Sequence, residues 1–386
     1  MSGPAEDGGF GLYVHWPFCT SKCPYCDFNS HVAEGIDQAA WANALCREIE
    51  RSAAETSGER LLSIFFGGGT PSTMPPSTVA AVIEAATRSW SAAADIEITL
   101  EANPGSSDAA AFEGFAAAGV NRLSVGVQAL RDAPLRALGR RHDAAEARAA
   151  VARARRVFPR VSLDLIYARE HQTVDEWVAE LTEAIDLGTG HLSLYQLTIE
   201  PGTPFAARRA RGGLRGLPDD DLGAALYAAT QEVCSAAGFS AYEVSNHARA
   251  GQESRHNLVY WRGGRWAGVG PGAHGRLGPV SARVATEAIR EPGKWLAAVS
   301  SAGSGERSRT PVDRADVAQE YLIMALRLEE GLSLRRLREL DPGIAAPERV
   351  LPLVSEGFLT LAGDRVAATA AGRLVLDAVV VALAGS

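Results

Sequence analysis

The chain has 386 residues, of which 46% are hydrophobic and 22% are charged, and its formal net charge is -8 at pH 7. This length and composition suffice for a buried core, and they exclude a disordered chain, a collagen and a coiled coil. The acidic balance also argues against a nucleic-acid partner, because phosphate binding needs a clustered excess of Lys and Arg.

The first ten residues, MSGPAEDGGF, contain neither a basic region nor an apolar stretch. They predict neither a secretory signal nor a transit peptide, so we expect a cytoplasmic protein. The longest apolar run, Leu374 to Ala384, has about half the length of a membrane span and is interrupted by Asp377. No transmembrane segment is therefore predicted, while peripheral contact with a membrane stays open.

Short apolar runs alternate with segments of helical composition along the first half of the chain. The six predicted strands are Leu12–Trp16, Ser63–Phe66, Ile96–Leu100, Arg122–Val127, Val161–Ile166 and Leu192–Leu197. The predicted helices between them are Gln38–Ala54, Ser77–Trp90, Ala109–Ala118, Ala144–Val157 and Val174–Leu187. Repeated βα units imply parallel strands, and nearly continuous apolar strands imply that helices cover the outer face. We predict an α/β fold, a closed or partial (β/α)6 TIM-like barrel with its chemistry at the carboxyl ends of the strands.

The amino-acid texture changes after residue 280. The stretch Ser301–Thr310 is polar and rich in Gly and Ser, which predicts a linker or a long loop. Helical segments follow, and then two short strands, Phe358–Ala362 and Arg365–Ala368, so we predict a small α+β, winged-helix-like domain. The expected division is a core barrel (1–240), a connecting segment (241–300) and a C-terminal domain (301–386).

Three of the five cysteines, Cys19, Cys23 and Cys26, follow the first predicted strand with the spacing C-x3-C-x2-C. Three thiolates can hold three irons of a 4Fe-4S cluster, whereas ordinary clusters have a fourth protein ligand. The remaining iron can be chelated by the amino and carboxylate groups of S-adenosylmethionine, whose sulfonium then accepts an electron. A structural zinc site is the alternative, although such sites favour paired C-x2-C arms. Cys46 and Cys234 lie in apolar helical surroundings, which indicates inert buried thiols.

Further motifs follow the cysteine loop in order. Including that loop they are YVHWPFCTSKCPYCDF (13–28), FFGGGTPS (65–72), LEANP (100–104), RLSVGVQ (122–128), LGRRHD (138–143), DLIY (164–167), LSLYQLTIEPGTPF (192–205), YEVSNHA (242–248), HNLVYWRGG (256–264) and GVGPGAHG (268–275). On these motifs the chain resembles the radical S-adenosylmethionine superfamily, within it the oxygen-independent coproporphyrinogen III oxidase group, and most of all the haem-chaperone branch called HemW. The resemblance implies a radical SAM barrel, a HemN-like C-terminal domain, a 4Fe-4S cluster and bound S-adenosylmethionine.

A glycine-rich loop that includes Gly68, Gly69 and Thr70 follows the second predicted strand. Successive glycines let the backbone approach a ligand closely and present N–H groups to it. The resemblance assigns this loop to the methionine moiety of the cofactor, and it adds Tyr13 and Tyr25 to the same site.

Four polar residues, Glu101, Gln128, Arg140 and Asp164, lie at or near the ends of predicted strands. Burying such groups without partners costs several kcal/mol, so partners are expected. One interpretation is a salt-bridged barrel top in which Arg140 pairs with Asp164. In the other, the carboxylates bind ribose hydroxyls or the amino group of the cofactor, and Arg140 binds the cofactor carboxylate. The resemblance favours the second interpretation.

The segment after the fifth strand departs from the family pattern. Relatives commonly continue DLIY with Pro-Gly before Gln-Thr, whereas this chain has Ala168, Arg169, Glu170 and His171 at that point. Loss of Pro-Gly changes the turn and adds charge, so this departure bears on the adenosine contacts of the loop.

Phe28 stands where the resembled oxidases carry a fourth cysteine, two positions after the third. The resemblance therefore implies a haem chaperone that binds haem and transfers it to an acceptor haemoprotein. An oxygen-independent coproporphyrinogen III dehydrogenase of porphyrin biosynthesis and a radical SAM methyltransferase are the alternatives. Whether the chain is an enzyme stays open, and no catalytic residue is assigned. The cluster needs electrons, so a flavodoxin or ferredoxin partner is expected.

His256 begins an H-N-x-x-Y-W motif that matches the chaperone branch. An imidazole beside aromatic rings can ligate haem iron, but it can equally be a hydrogen-bonded structural residue. Weaker haem-ligand candidates from the same region are His247 and His274. A basic, Gly-containing loop offers contacts to haem propionates, or forms a solvated surface, through Arg208, Arg209, Arg211 and Arg215.

Overall fold

The computed structural model describes residues 8–106 and 109–385. Its strands are β1 Phe10–Trp16, β2 Phe18–Cys19, β3 His31–Val32, β4 Arg60–Gly68, β5 Ser91–Ala102, β6 Arg122–Gln128, β7 Arg160–Tyr167, β8 His191–Gln196, β9 Ser240–Ala241, β10 Asn246–Ala248, β11 Arg265–Val269, β12 His274–Leu277, β13 Val284–Ala288, β14 Glu306–Pro311, β15 Leu332–Ser333, β16 Leu359–Ala362 and β17 Arg365–Ala368. Its α-helices are α1 Gln38–Glu55, α2 Pro76–Ser89, α3 Ala109–Ala117, α4 Asp132–Ala137, α5 Ala144–Val157, α6 Val174–Asp186, α7 Pro204–Ala210, α8 Asp220–Ala236, α9 Arg255–Trp261, α10 Pro292–Ala302, α11 Arg314–Ala325, α12 Leu334–Leu340, α13 Pro347–Ser355, α14 Ala370–Leu374 and α15 Leu376–Ala384. The first seven residues, on which the expectation of no leader partly depends, lie outside the described part of the chain.

The six predicted strands form β1 and β4 to β8, and each is parallel to the next in the sheet. Helices α1, α2, α3, α5 and α6 occupy the predicted helical segments between them. The strands are buried on both faces because these helices cover the outer one; Trp177 and Leu181 of α6, for example, are fully buried. The predicted α/β barrel is confirmed.

Capping residues start two of the covering helices close to the strands that precede them. The Thr173 hydroxyl accepts from the backbone N–H of Glu176, and the Glu176 carboxylate accepts from the N–H of Thr173, which starts α6. Asp143 and Glu146 form the same reciprocal arrangement at the start of α5. Each capping box satisfies two orphan N–H donors. These caps therefore fix where the loops that follow β6 and β7 end and where α5 and α6 begin.

The barrel is partial, and its two sides are extended differently. At one side β11 pairs with β1 in parallel, and β12, β13 and β14 continue the sheet in antiparallel order. At the other side β10 pairs antiparallel with β8. Strand β14, Glu306–Pro311, occupies the second half of the segment for which we expected a linker. Its side chains are polar and largely exposed, but as an edge strand it needs only its backbone to pair with β13.

The last part of the chain builds a second core. Helices α11 to α15 and the small sheet of β15, β17 and β16 enclose a hydrophobic cluster separate from that of the barrel, with Tyr321, Leu337 and Val366 buried in it. The predicted hairpin is present as β16 and β17, which turn at Gly363 with a φ of 60°. Among the described residues, no helix combines the length and the apolar character that a membrane crossing requires.

Candidate functional site

The cysteine loop and the glycine loop are joined by their backbones at the carboxyl ends of β1 and β4. The N–H of Gly69 donates to the Trp16 carbonyl at 2.7 Å, and the N–H of Thr70 donates to the Phe18 carbonyl at 2.8 Å. A Cβ atom at Gly69 would lie 2.7 Å from the Phe18 carbonyl oxygen, so only glycine permits this approach. The glycine loop therefore holds the cysteine loop in place through these backbone contacts.

Asn29 anchors the far end of the cysteine loop to a much later part of the chain. Its side-chain amide donates to the carbonyls of Pro271, at 2.9 Å, and Arg290, at 2.8 Å. The Asn29 carbonyl is also 2.9 Å from Nε2 of His15 on β1. The bond from Asn29 to Pro271 gives the segment 268–275 a role in holding the cysteine loop, and sequence reasoning did not assign this role to it.

One cavity of about 540 Å³ opens at the carboxyl edge of the barrel. It brings together most of the predicted site residues: Cys19, Cys23, Cys26, Tyr25, Gly68, Gly69, Thr70, Glu101, Gln128, Arg140 and Asp164. We call it the cysteine cavity. Tyr13 is not among its lining residues, because its hydroxyl bonds to Nδ1 of His15 at 2.9 Å and its ring stacks near Phe65.

Polar groups surround the three sulfur atoms. The Thr70 hydroxyl donates to Sγ of Cys19 at 3.3 Å, and the Arg140 guanidinium donates to Sγ of Cys23 at 3.5 Å. Burial raises the pKa of the Cys19 thiol, while the Thr70 bond lowers it. Donors to sulfur stabilise the thiolates that iron requires, so the residues fit a cluster held by three cysteines. Within the described residues no three His, Cys, Asp or Glu side chains are grouped around a single metal-ion position.

Two acidic groups lie at the bottom of the cysteine cavity. Glu101 accepts a hydrogen bond from the N–H of Gly68, and burial together with nearby Asp164 raises its pKa to about 8. Asp164 accepts from the hydroxyl of Ser124 at 2.9 Å and from that of Ser162 at 3.2 Å, and burial raises its pKa as well. No cation pairs with either carboxylate among the described residues, so a ligand carrying an amine or hydroxyl groups would lower the cost of burying them.

Arg140 lines the same cavity as these carboxylates but does not pair with Asp164. Its guanidinium donates to the Gly126 carbonyl at 2.8 Å and to Cys23, which removes the salt-bridged barrel top as an interpretation. Burial lowers its pKa, but neighbouring Tyr25 and Cys23 outweigh that effect and raise it. The Nε atom is buried and makes no hydrogen bond within the described chain. Arg140 therefore keeps one donor that the protein does not satisfy.

Gln128 ends β6 in an unusual backbone conformation, with a φ of 68°. The register between β6 and β7 shifts just before it, and its side-chain Oε1 is buried without a hydrogen-bond partner among the described residues. An orphaned acceptor beside two carboxylates and a free guanidinium donor matches a ligand that carries hydroxyl, amine and carboxylate groups. S-adenosylmethionine carries all three.

The departure from the family pattern after β7 forms a separate structure. Ala168 and His171 have positive φ values of 57° and 61°, and Arg169 makes a buried ion pair with Glu180 of α6. The Glu180 carboxylate also accepts from the N–H of Leu130 at 2.6 Å. None of residues 168–171 lines the cysteine cavity. The charge of Arg169 is thus neutralised by Glu180 of α6, away from that cavity.

His256 lies inside the barrel, 1% exposed, with both ring nitrogens hydrogen-bonded. Its Nδ1 is 2.8 Å from the Ser63 hydroxyl, and its Nε2 is 2.8 Å from the Tyr260 hydroxyl. Burial, and then the charge of Arg122, lowers its pKa to about 3. In this arrangement an iron bond to His256 requires one of these two hydrogen bonds to break.

The other haem-ligand candidates lie apart from one another. His247 is buried on β10 with Nε2 3.2 Å from the Gln231 side chain, whereas His274 is exposed on β12. The predicted basic loop is in part a helix, because Arg208 and Arg209 lie in the last turn of α7. All four of its arginines are exposed, and Arg208 pairs with Glu170 at 3.3 Å. The structure does not bring these residues together with His256.

Sequence reasoning missed the serines that hold Asp164. Ser162 lies two residues before Asp164 on β7, and Ser124 on β6 pairs with Ser162 in register. Residues two apart on a strand point to the same face, so hydroxyls at these positions were a usable signal once the strands were predicted. The role of Asn29 carried no such signal, because its partners lie more than 240 residues away.

Comparisons with known proteins identify the family of this chain. Residues 13–188 match the Radical SAM superfamily, and residues 312–375 match the HemN C-terminal domain. The chain is 40% identical over 383 residues to radical S-adenosyl methionine domain-containing protein 1, mitochondrial, of Bos taurus, covering 96% of this chain and 86% of that protein.

Two bacterial relatives bear the name haem chaperone HemW. The identity is 37% with the Mycobacterium tuberculosis protein, covering 99% of this chain and 96% of the relative, and 35% with the Escherichia coli protein, covering 95% and 96%. Among solved structures, coproporphyrinogen III oxidase (HemN) from Escherichia coli superimposes with a TM-score of 0.80 at 23% identity, covering 99% of this chain and 91% of that one. That likeness establishes the fold.

Proposed function

We propose that this chain, which belongs to the HemW family of radical S-adenosylmethionine proteins, is a haem chaperone: it binds haem and transfers it to acceptor haemoproteins. The observation that carries the proposal is similarity over nearly the whole chain, barrel and C-terminal domain together, to two proteins named haem chaperone HemW. Phe28 supports it, since this residue stands where the resembled oxidases have a further cysteine; it lines the cysteine cavity and is 59% exposed.

In this proposal the cysteine cavity holds the cofactors. Cys19, Cys23 and Cys26 would bind the 4Fe-4S cluster, which supplies an electron to the sulfonium of S-adenosylmethionine. The Nε of Arg140, which has no hydrogen-bond partner among the described residues, suits the carboxylate of that ligand. Glu101 and Gln128 supply acceptors for its amine and hydroxyl groups.

The haem ligand stays a prediction. His256 is the residue named by the sequence motif, and its hydrogen bonds to Ser63 and Tyr260 set a clear condition on ligation. If it binds iron, haem entry must open α9, which carries both His256 and Tyr260. If it does not, its part is to hold α9 against β4, and another residue binds the metal.

The test is anaerobic reconstitution of the full chain, followed by haem titration and product analysis in one preparation. We expect about one haem per chain, a Soret band that shifts in His256→Ala if that residue is the ligand, and transfer to apomyoglobin as the probe acceptor. His171→Ala is the matched control, because this imidazole is exposed, lies outside the cysteine cavity and is not a haem-ligand candidate.

Either of two results would overturn the proposal: no saturable haem binding, or many turnovers of coproporphyrinogen with consumption of S-adenosylmethionine. The second result would assign the chain to porphyrin biosynthesis, and conversion of a methyl acceptor would assign it to the methyltransferases. A flavodoxin or ferredoxin electron donor remains a prediction. A cytoplasmic location also remains a prediction, since several relatives are named as mitochondrial proteins.

A further inference from the structure

A second cavity, of about 560 Å³, lies where the extended sheet meets the C-terminal helices. Seven arginines and three carboxylate residues line it, in a chain whose net charge is -8. Three of the arginines, Arg262, Arg265 and Arg283, come from the barrel half, and the other four come from the C-terminal unit. We call it the arginine cavity. Such clustering of one charge within an acidic protein marks an electrostatic feature rather than average composition.

Two of the barrel-side arginines are already neutralised. Arg262 makes a bidentate pair with Glu330, at 2.9 and 2.8 Å, and Arg265 makes a bidentate pair with Glu59, at 2.5 and 2.9 Å. Fork-like pairs of this kind satisfy the planar guanidinium well. They need no further ligand.

Arg283 is different. It is 5% exposed, and its one hydrogen bond within the described chain runs from an Nη atom to the Gly264 carbonyl at 3.3 Å. Its buried Nε makes no hydrogen bond, and no carboxylate lies within ion-pair distance of it among the described residues. Burial, and then the charge of Arg265, lowers its pKa to about 10. A buried charge without a counter-ion is costly, so an anion is expected beside it.

Two further arginines, exposed at the rim of the arginine cavity, have only backbone partners. Arg314 donates to the carbonyls of Glu339 and Leu340, and Arg365 donates to the Gly331 carbonyl at 3.2 Å. In the described part of the chain neither makes an ion pair. Together with Arg283 they leave three guanidinium groups around one cavity without a protein carboxylate.

We propose that the arginine cavity binds a small organic polyanion, one that carries at least two phosphate or carboxylate groups. The buried guanidinium of Arg283 would bind one group, and Arg314 and Arg365 would bind another at the rim. Val280, Leu328 and Leu340 add apolar surface for the body of the ligand, and the cavity volume is typical of a small-molecule site.

Binding would also join the two halves of the molecule. Arg336 of α12 already donates to the carbonyls of Arg262 and Gly263, at 2.7 and 3.1 Å, across the same junction. A polyanion held between Arg283 and the C-terminal arginines adds a second link. The ligand should therefore raise the unfolding temperature of the C-terminal unit, because it binds the folded state alone.

Isothermal titration of the reconstituted full chain tests the proposal, with fructose bisphosphate as the phosphate probe and propane tricarboxylate as the carboxylate probe. We expect one molecule of at least one probe per chain. Since a hydrogen bond to a charged group contributes about 1.5–3 kcal/mol, Arg314→Met and Arg365→Met should each weaken binding about tenfold or more. The probe that binds more tightly identifies the ligand class.

Arg307→Met is the matched control, because Arg307 is an exposed arginine of β14 that pairs with Glu287 outside the cavity; its affinity should match the parent chain. Arg283→Met should abolish binding, and if that variant fails to fold, the rim variants decide. Binding of neither probe at millimolar concentration, or equal affinity in the rim variants and the control, would overturn the inference. Neither result depends on haem binding, so the proposed function is tested separately.

Discussion

The cysteine cavity and the arginine cavity have nearly equal volumes, about 540 and 560 Å³, but they differ in which buried ionisable groups lack an ion-pair partner. The first has carboxylates without a cation at its base, Glu101 and Asp164. The second has a buried guanidinium without an anion, Arg283. In both, ionisable groups without an ion-pair partner line a space large enough for a small molecule. We therefore expect buried ionisable groups without ion-pair partners to mark a ligand site, unlike an ion pair that serves stability alone.

The largest effect is expected in the cysteine cavity, from loss of a cysteine that is proposed to bind the cluster. Cys19→Ala would remove one of the three proposed thiolate ligands, so the reconstituted protein should lose nearly all its cluster iron and its binding of S-adenosylmethionine. Iron content and an S-adenosylmethionine titration measure this. Cys46→Ala is the control, because Cys46 lies on α1 outside the cavity and should leave both unchanged. If Cys19→Ala kept its iron, Cys19 would not be a cluster ligand, and the polar groups of the cysteine cavity would serve a different ligand.

A buried charge that does have its partner gives the opposite case. Glu180→Gln leaves Arg169 buried without its carboxylate and weakens the bond to the N–H of Leu130. Breaking a buried pair in this way should lower the free energy of unfolding by about 3–5 kcal/mol. Denaturant unfolding measures it, with Asp175→Asn on the exposed side of the same helix as control. A loss below about 1 kcal/mol would show that exposure to water already screens this pair.

A smaller loss of stability is expected from substitution of His256 on α9. His256→Ala leaves the hydroxyls of Ser63 and Tyr260 without partners and opens a void, which should cost about 2–4 kcal/mol of unfolding free energy. Chemical denaturation with His274→Ala as the exposed control, expected to change by about 0.5 kcal/mol or less, checks this. Equal stability of the two variants would contradict a structural role for His256.

The smallest effect concerns the raised pKa of Glu101, about 8. The folded state keeps this proton to a higher pH than the unfolded state does, so stability falls as pH rises towards 8. Between pH 6.5 and 8.5 the cofactor-free protein should lose about 2 kcal/mol through this group. Glu101→Gln should reduce that loss in paired unfolding curves. An identical pH dependence in both proteins would show that Glu101 does not carry an uncompensated charge.

The cysteine cavity could be predicted from the sequence because its residues follow a rule of position. Cys19, Gly68, Glu101 and Gln128 each come at or just after the end of a parallel strand, and such ends meet at one edge. Tyr13 shows the limit of that rule: it lies within its strand, and the structure keeps its hydroxyl on His15 rather than in the cavity.

The arginine cavity could not be predicted in this way. Its barrel-side arginines lie on strands and loops between residues 262 and 283, and its other arginines lie on helices and a strand between 314 and 365. Nothing in their spacing indicates that two domains meet there, and β14 occupies a segment whose composition indicates a linker. Contact between separately folded units depends on surface shape, which periodicity does not encode.

The pairing of β11 with β1 bears on the order of events at the ribosome. The cysteine loop is synthesised within the first 30 residues, yet Asn29 finds its partners at Pro271 and Arg290. Strand β1 likewise lacks one neighbour until residues 265–269 emerge. Contacts of such long sequence separation form late in folding. We therefore expect the cysteine loop to reach its final position only after Arg290, three quarters of the way along the polypeptide, has been synthesised.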